Sequence, residues 1–600
     1  MRPSYVSCLI PVLFSTAACN AANGSADVLF LSENILTGDA HMPIARSMAI
    51  ADDRIICVSE SNSCETEAGE ETIVVDNGDA TIMAGMIDTH LHTRLFGQTN
   101  GVMLNLFQYN GESTETVENV IAEYAATLGP EEWVIGGGFS YANFPEPTKE
   151  RLDELVGGRP ALISDNTQHN GWYSTKALEY LGIDENWEIP KGGYMPLGED
   201  GKPTGHLREK AHLSTGFVEQ HKLYSHEKQE EAILLAGRLM NSAGVTAAVE
   251  AAGGSKEGSD DVYVRLASRG DLNLRHELTM VYWGGSGERD ADNAMIEQLV
   301  SRREAVRESM GGDSHEFLTA NTIKFAIDGT PGTFAHMEEP YLDGTHPGMN
   351  YTEENLGWIF NELTELGFRL MLHIEGNAAM RKALDALDYA DATGAPLDPN
   401  TRHIFTHIDH ASASLVGRMK ERGVTVQLQY HWADATDEYF ASVASKNIQQ
   451  YILENTFNNH GMVVQSGIEY GTGADAPTSP IWRPFDQIEI ALTRRPAGQP
   501  DAEPMPGTPL TLDQALYGFT MGGARILYKE GMIGSLEEGK KADIIVLDRD
   551  IHQQVEDDVY KLHETAVRHT YFDGRLVYSQ DGEQLASPDD ELPDERGSVF

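Results

Sequence analysis

The sequence predicts an α/β chain: a (β/α)8 barrel of TIM type with a small β-sandwich domain built from both chain ends. Three observations predict it. Apolar, strand-like runs such as "NTIKFAIDG", "FRLMLHIEG" and "VTVQLQY" alternate with helical stretches such as "NAAMRKALDALDYA" through most of the chain. Alternation of that kind reads as a parallel sheet covered by helices. Short β-rich runs broken by Asn, Gly and Asp come first, in "ADVLFLSENILTGD" and "SMAIADDRIICVSE", and the style returns near the end in "KKADIIVLDRD" and "VRHTYFDGRLVYSQ". With 600 residues, 40% of them hydrophobic, the chain has enough apolar surface for one large core and a smaller second one.

The segments follow in order. Residues 1–22, "MRPSYVSCLIPVLFSTAACNAA", have one early Arg, a short apolar stretch and then small residues, the pattern of an export signal too short to span a membrane stably. "STAAC" resembles a bacterial lipobox with Thr16 where Leu is usual, so lipid attachment at Cys19 and simple cleavage near residue 22 are both open. Residues 23–84 form the first part of the β-sandwich, 85–529 the barrel, 530–585 the rest of the sandwich, and the acidic 586–600 a solvated tail. Cys57 and Cys64 remain in the mature chain, where an oxidising compartment would let them close a small loop; a free pair is the alternative.

A formal charge of −49, from 93 acidic and 44 basic residues, argues against a nucleic-acid or anionic-membrane surface, because phosphates need Lys and Arg. The partners expected are a small-molecule substrate and, through Cys19 alone, a membrane. A homodimer stays open. The location expected is the periplasm, or the outer membrane as a lipoprotein, of a bacterium.

"GMIDTHLHTRLFG", residues 85–97, puts His90 and His92 one residue apart. Strand side chains alternate between faces, so both rings, with Asp88, project on one side. Taken alone, such a pair fits a metal site or ordinary strand residues. Further along, "IKFAIDG" has Lys324 inside an apolar strand, "LMLHIEGN" has His373, "IFTHIDH" offers His407 and His410, and "SGIEYGTGADAP" leads to Asp475. In a (β/α)8 barrel, residues at strand C-termini face the active end. Lys324 is the hardest to read as structural, since an unpaired cation facing a barrel interior is costly.

In this order the set resembles the metal-dependent amidohydrolase superfamily, in particular its D-aminoacylase-like and N-substituted formamide deformylase-like branch. The resemblance extends over "WVIGGGFS", "HNGWYSTKALEYLGI", "DGKPTGHLREKA", "GTGADAPTSPIWRPFDQIEIALTRR" and "IGSLEEGKKADIIVLDRD". It implies two divalent cations, zinc first, with His90 and His92 on one, His373 and His407 on the other, and a carboxylated Lys324 bridging them. Asp475 is implied as general acid/base that also touches the first metal, and His410 is the fallback for His407. His169, which would polarise the carbonyl, and Trp172 are implied at the substrate pocket, with Glu375 and Gln429 beside them. Glu375 in "HIEGN" and Tyr430 after Gln429 depart from the family pattern, so substrate assignment does not transfer with the resemblance.

His92 and Lys324 lie farther apart than intervening βα units need, which predicts an insertion at about 130–215 forming a lid or pocket wall. The function expected is an exported metal-dependent amidohydrolase acting on a non-peptide C–N bond in an N-acyl or related linear amide. Its rivals are hydrolysis of a cyclic amide, imine or ester on the same centre, and a periplasmic solute-binding lipoprotein without catalysis.

Overall fold

The computed structural model describes residues 26–582, except 110, 214–225, 255–259, 286, 313–314, 330–333, 395–397, 435–447, 450–451 and 453–455. The expected leader, Cys19 and the 586–600 tail lie outside the described residues.

Eight parallel strands form the central sheet: β1 (Met86–Leu91), β2 (Val245–Gly254), β3 (Arg275–Val281), β4 (Leu318–Ala326), β5 (Arg369–Ile374), β6 (Ile404–His407), β7 (Thr425–Leu428) and β8 (Tyr470–Thr472). Each pairs with its sequence neighbours in the order β1 to β8. β5, "RLMLHI", is buried at every position, as expected for a parallel strand covered on both faces. The helices Glu353–Glu365 and Asn377–Thr393 pack Leu356, Phe360, Leu384 and Leu387 into the same core.

The curl nearly closes between β8 and β1. Thr89 Oγ1 donates to Thr472 O at 2.9 Å, and past the strand ends Asp475 N donates to His90 O at 2.7 Å and His92 N to Ala476 O at 3.1 Å. Asp88 clamps this seam, its carboxylate accepting from His90 N at 2.9 Å and Ala474 N at 3.0 Å. Gly473 is required here, because a Cβ on it would stand 2.4 Å from both Asp88 Oδ1 and His90 N.

Strands from both chain ends form a second sheet, in the order Arg575–Ser579, Val567–Phe572, Ile544–Leu547, Ile82–Ala84, Ala26–Leu36, Ile44–Ala51, Arg54–Ser59. Ala68–Asp76 also pairs with Ala26–Leu36. Hydrogen bonding thus joins the two ends in one continuous mixed sheet, over a core that includes Phe30, Met48, Ile82 and Ile544. Cys57 and Cys64 are disulfide-bonded, with Cα atoms 5.7 Å apart.

A third, six-stranded sheet lies in the chain between β1 and β2. Its order is Gly193–Tyr194, His206–Glu209, Asn170–Tyr173, Ala161–Asp165, Val134–Phe139, Leu104–Asn105. This inserted layer begins before residue 130, because the two-residue edge strand at Leu104 is too short to carry a readable alternation. No helix among the described residues is long and apolar enough to cross a membrane.

Candidate metal centre

Barrel strands deliver their chemistry at their C-terminal ends. His90 is next to last in β1, Lys324 two residues from the end of β4, His373 next to last in β5 and His407 last in β6; Asp475 follows β8 by three residues. Parallel register sets them side by side, with Ala326 opposite His373 and Ile374 opposite His407. The seam brings Asp475 to β1.

His92 Nε2 lies 3.1 Å and His90 Nε2 3.4 Å from Asp475 Oδ1, and Lys324 Nζ lies 3.2 Å from His90 Nε2. The His407 ring stands 4.9 Å from that of His90 and 4.3 Å from that of His373. Two buried groups have their donor atoms within 4.8 Å of one another: His90, His407 and Asp475, and His373, Glu375 and His407. Both ring nitrogens of His407 and Nε2 of His373 are buried without a hydrogen-bond partner among the described residues. Such orphaned imidazoles are costly in a protein interior, and a divalent cation with N and O ligands would satisfy them. The donor set therefore fits a metal.

The electrostatics agree. Burial alone would raise the Asp475 carboxyl, yet His90, His92 and Lys324 hold it well below the usual carboxylate range. Burial, with Lys324 next, pushes His90 down to about 3, and burial with neighbouring imidazoles drives His373 and His407 well below the ordinary value, so all three stay neutral and able to ligate. Burial lowers the Lys324 ammonium to about 8 against the pull of Asp475 and Glu375.

Surrounding groups fix the rings. Gln427 Oε1 takes His90 Nδ1 at 2.9 Å and also accepts from Gln429 Nε2 at 2.9 Å, leaving His90 Nε2 for the centre. Trp432 stacks on His407, centroids 5.4 Å apart and planes 17° from parallel. His407, Ile408 and Asp475 all have left-handed backbone, with φ of 70°, 52° and 51°. Non-glycine residues rarely adopt it, and such strain gathers at functional sites.

A cavity of about 130 Å³ opens onto these side chains, with His169 and Glu209 of the inserted layer on its wall. His169 stands with its ring 5.5 Å from that of His373, and its Nδ1 is 3.0 Å from Glu209 Oε2. Burial favours the neutral ring, but the Glu209 carboxylate raises His169 above the usual imidazole value.

Three sequence expectations find a different place. Trp172 is fully buried inside the inserted layer, packed on Phe139 and Phe144 with Nε1 donating to Thr148 O at 2.7 Å; its large apolar ring serves that layer's core instead of the pocket. Glu375 is buried with Oε1 3.2 Å from His373 Nε2, among the ligand-type atoms instead of on a substrate wall. Gln429 sits behind His90 through Gln427. His410 packs on Phe457, outside both donor groups. The sequence reading missed Gln427, Trp432 and Glu209. Gln427 left a signal: a polar side chain inside a wholly buried strand needs a partner.

A model of the Amidohydrolase family matches residues 74–578. The N-substituted formamide deformylase of Arthrobacter pascens is 25% identical over 574 residues, covering 93% of this chain and 99% of that protein. Protein LONG AFTER FAR-RED 3 of Arabidopsis thaliana is 25% identical over 573 residues, covering 92% of each. The crystal structure of an uncharacterized metal-dependent hydrolase from Pyrococcus furiosus shares the fold, with a TM-score of 0.65 at 20% identity over 87% of this chain and 99% of that one.

Proposed function

The chain belongs to the amidohydrolase family, and from that premise we propose that it is an exported metal-dependent hydrolase of a non-peptide carbon–nitrogen bond, in an N-acyl or related linear amide. The observation that carries the reading is the meeting of His90, His92, Lys324, His373, His407 and Asp475 at one barrel mouth, with ring nitrogens of His373 and His407 that have no hydrogen-bond partner among the described residues. The name of the Arthrobacter relative, an N-substituted formamide deformylase, supports an amide as substrate. Export is supported by the leader-like first 22 residues and the Cys57–Cys64 disulfide, which suits an oxidising compartment such as the periplasm. Lipidation at Cys19 remains part of the proposal.

His90, His92 and Asp475 would hold one divalent cation and His373 and His407 a second, with Glu375 within reach of the latter pair. Zinc suits these imidazole and carboxylate donors, and when bound it supplies Lewis acidity that lowers a water's pKa to about 7 and polarises a carbonyl. Lys324, buried and facing His90, would be carboxylated: its neutral amine would add carbon dioxide and release a proton, replacing an awkward cation by an anionic ligand.

Asp475, held ionised, takes a proton from the attacking water and passes it to the leaving nitrogen as a C–O bond forms and the C–N bond breaks. His169, reaching in from the inserted layer, hydrogen-bonds the carbonyl oxygen as charge develops on it. The products are a carboxylic acid and an amine. A panel of N-formyl and N-acyl amines, incubated with the zinc-loaded protein and read by amine release, tests this. Turnover of at least one linear amide is expected; turnover confined to cyclic amides, imines or esters would overturn the substrate class, and none at all would overturn the reading.

A further inference from the structure

His169 comes to the barrel mouth from a different layer, and something must aim it. It ends the tight segment 165–169, organised by Asp165, which is fully buried and accepts from Thr167 Oγ1 at 2.9 Å, Asn170 N at 3.1 Å and Asn170 Nδ2 at 2.7 Å. Thr167 Oγ1 in turn accepts from His169 N at 3.2 Å. The neighbouring strand, His206–Glu209, runs antiparallel with Asn170 opposite Arg208 and ends on Glu209. Asn170 Oδ1 accepts from Glu209 N at 3.3 Å, so the same asparagine ties both segments together. Gln168 and Glu209 have left-handed backbone, φ 61° and 49°, directly before His169 and at the residue that meets its ring. Both are conformations that non-glycine residues rarely adopt. They set Glu209 Oε2 3.0 Å from His169 Nδ1.

We propose that Glu209 is a positioning residue for His169: its carboxylate accepts a hydrogen bond from Nδ1–H, fixing the ring plane so that Nε2–H is the donor presented to the substrate beside His373. Nε2 of His169 has no hydrogen-bond partner among the described residues, and the ring lines the cavity. A carboxylate on one imidazole nitrogen is a general way to assign the work of the other. The inserted layer thereby contributes a built Glu–His pair to the reaction. This rests on the hydrolase reading for its kinetic consequence but not for its geometry.

The test has two arms. In kinetics on the zinc-loaded enzyme, Glu209→Ala is expected to lower kcat by about 10–100-fold with KM and metal content little changed. In a His169→Ala background the same substitution is expected to cost less than about twofold. Glu209→Gln, whose amide oxygen can still accept the Nδ1 proton, is expected to recover most of the loss. Multiplying losses in the double variant, or full activity in Glu209→Ala, would overturn the proposal. The second arm needs no turnover: 15N-histidine NMR, with the His169 signal assigned by its loss in His169→Ala, is expected to show Nδ1 protonated in wild type and in Glu209→Gln. A wild-type signal with the proton on Nε2 alone would overturn the proposal even in an active enzyme. A protonated Nδ1 in an inactive protein would leave Glu209 positioned as stated and count against the hydrolase reading instead.

Discussion

Asp475 stands between two demands, since a buried carboxyl tends to take up a proton while three facing groups keep it ionised. Only the ionised form can receive a proton from water, so Asp475→Asn is expected to cut kcat by roughly 10³-fold while bound metal stays largely intact. Parallel loss of metal and turnover, read by elemental analysis beside kinetics, would make it a ligand first. Lys324→Ala is expected to lose both metal and activity, and short carboxylates such as propionate should restore part of each by filling the space of a carbamate. Failure of any carboxylate to do so would count against carboxylation. Lys324, alone in an apolar strand, and His90 with His92, on one strand face, were legible because burying or aligning such groups has few ordinary reasons. Glu209 was not. Its partner lies 40 residues away in the turn before another strand, and nothing in "GHLREKA" distinguishes that glutamate from the glutamates of a charged surface.

Strands β5 and β6 show how the barrel depends on pH away from its mouth. His403, just before β6, is buried and its Nδ1 accepts from Leu370 N at 3.2 Å; burial, then Arg369, pushes it down to about 3. His276 on β3 is likewise pushed to about 4 by burial. Both folded values lie below the unfolded value near 6.5, so between them the unfolded chain binds more protons than the folded one. Their stability contribution is complete above about pH 6.5 and is lost as pH falls toward 4 and 3. The part of the urea midpoint that these two histidines contribute is expected to drop as pH falls below about 6.5. His403→Asn, whose side-chain oxygen can still accept from Leu370 N, should flatten that drop; identical slopes for the two proteins would contradict it. At this scale the alternation of runs made the barrel strands readable. The inserted layer's edge at Leu104 was hidden because its two residues pair only through Gly136 and Gly137, with no pattern of their own.

Across the whole molecule, the barrel is fastened to the terminal sheet through buried charge. Arg275 on β3 is fully buried and donates to both oxygens of Asp543 at 2.9 Å and to Asp573 at 2.8 Å, while Lys541 pairs with Asp53, Glu316 and Asp573. Removing Arg275 leaves the Asp543 carboxylate buried without its cation, so Arg275→Ala is expected to lower unfolding stability by about 3–5 kcal/mol in denaturant titration. A change below about 1 kcal/mol would show the junction to be held by apolar packing alone. Composition foretold two cores, but the pairing of β3 with residues 268 and 298 positions away could not be read from one chain. The central claim is that side chains from five strand ends converge to hold divalent metal, and elemental analysis of the purified full chain tests it most directly. About two divalent ions per chain, falling to one or none in His373→Ala and His407→Ala, is the predicted result. A folded wild-type protein that takes up no stoichiometric metal even when dialysed against zinc would contradict the account.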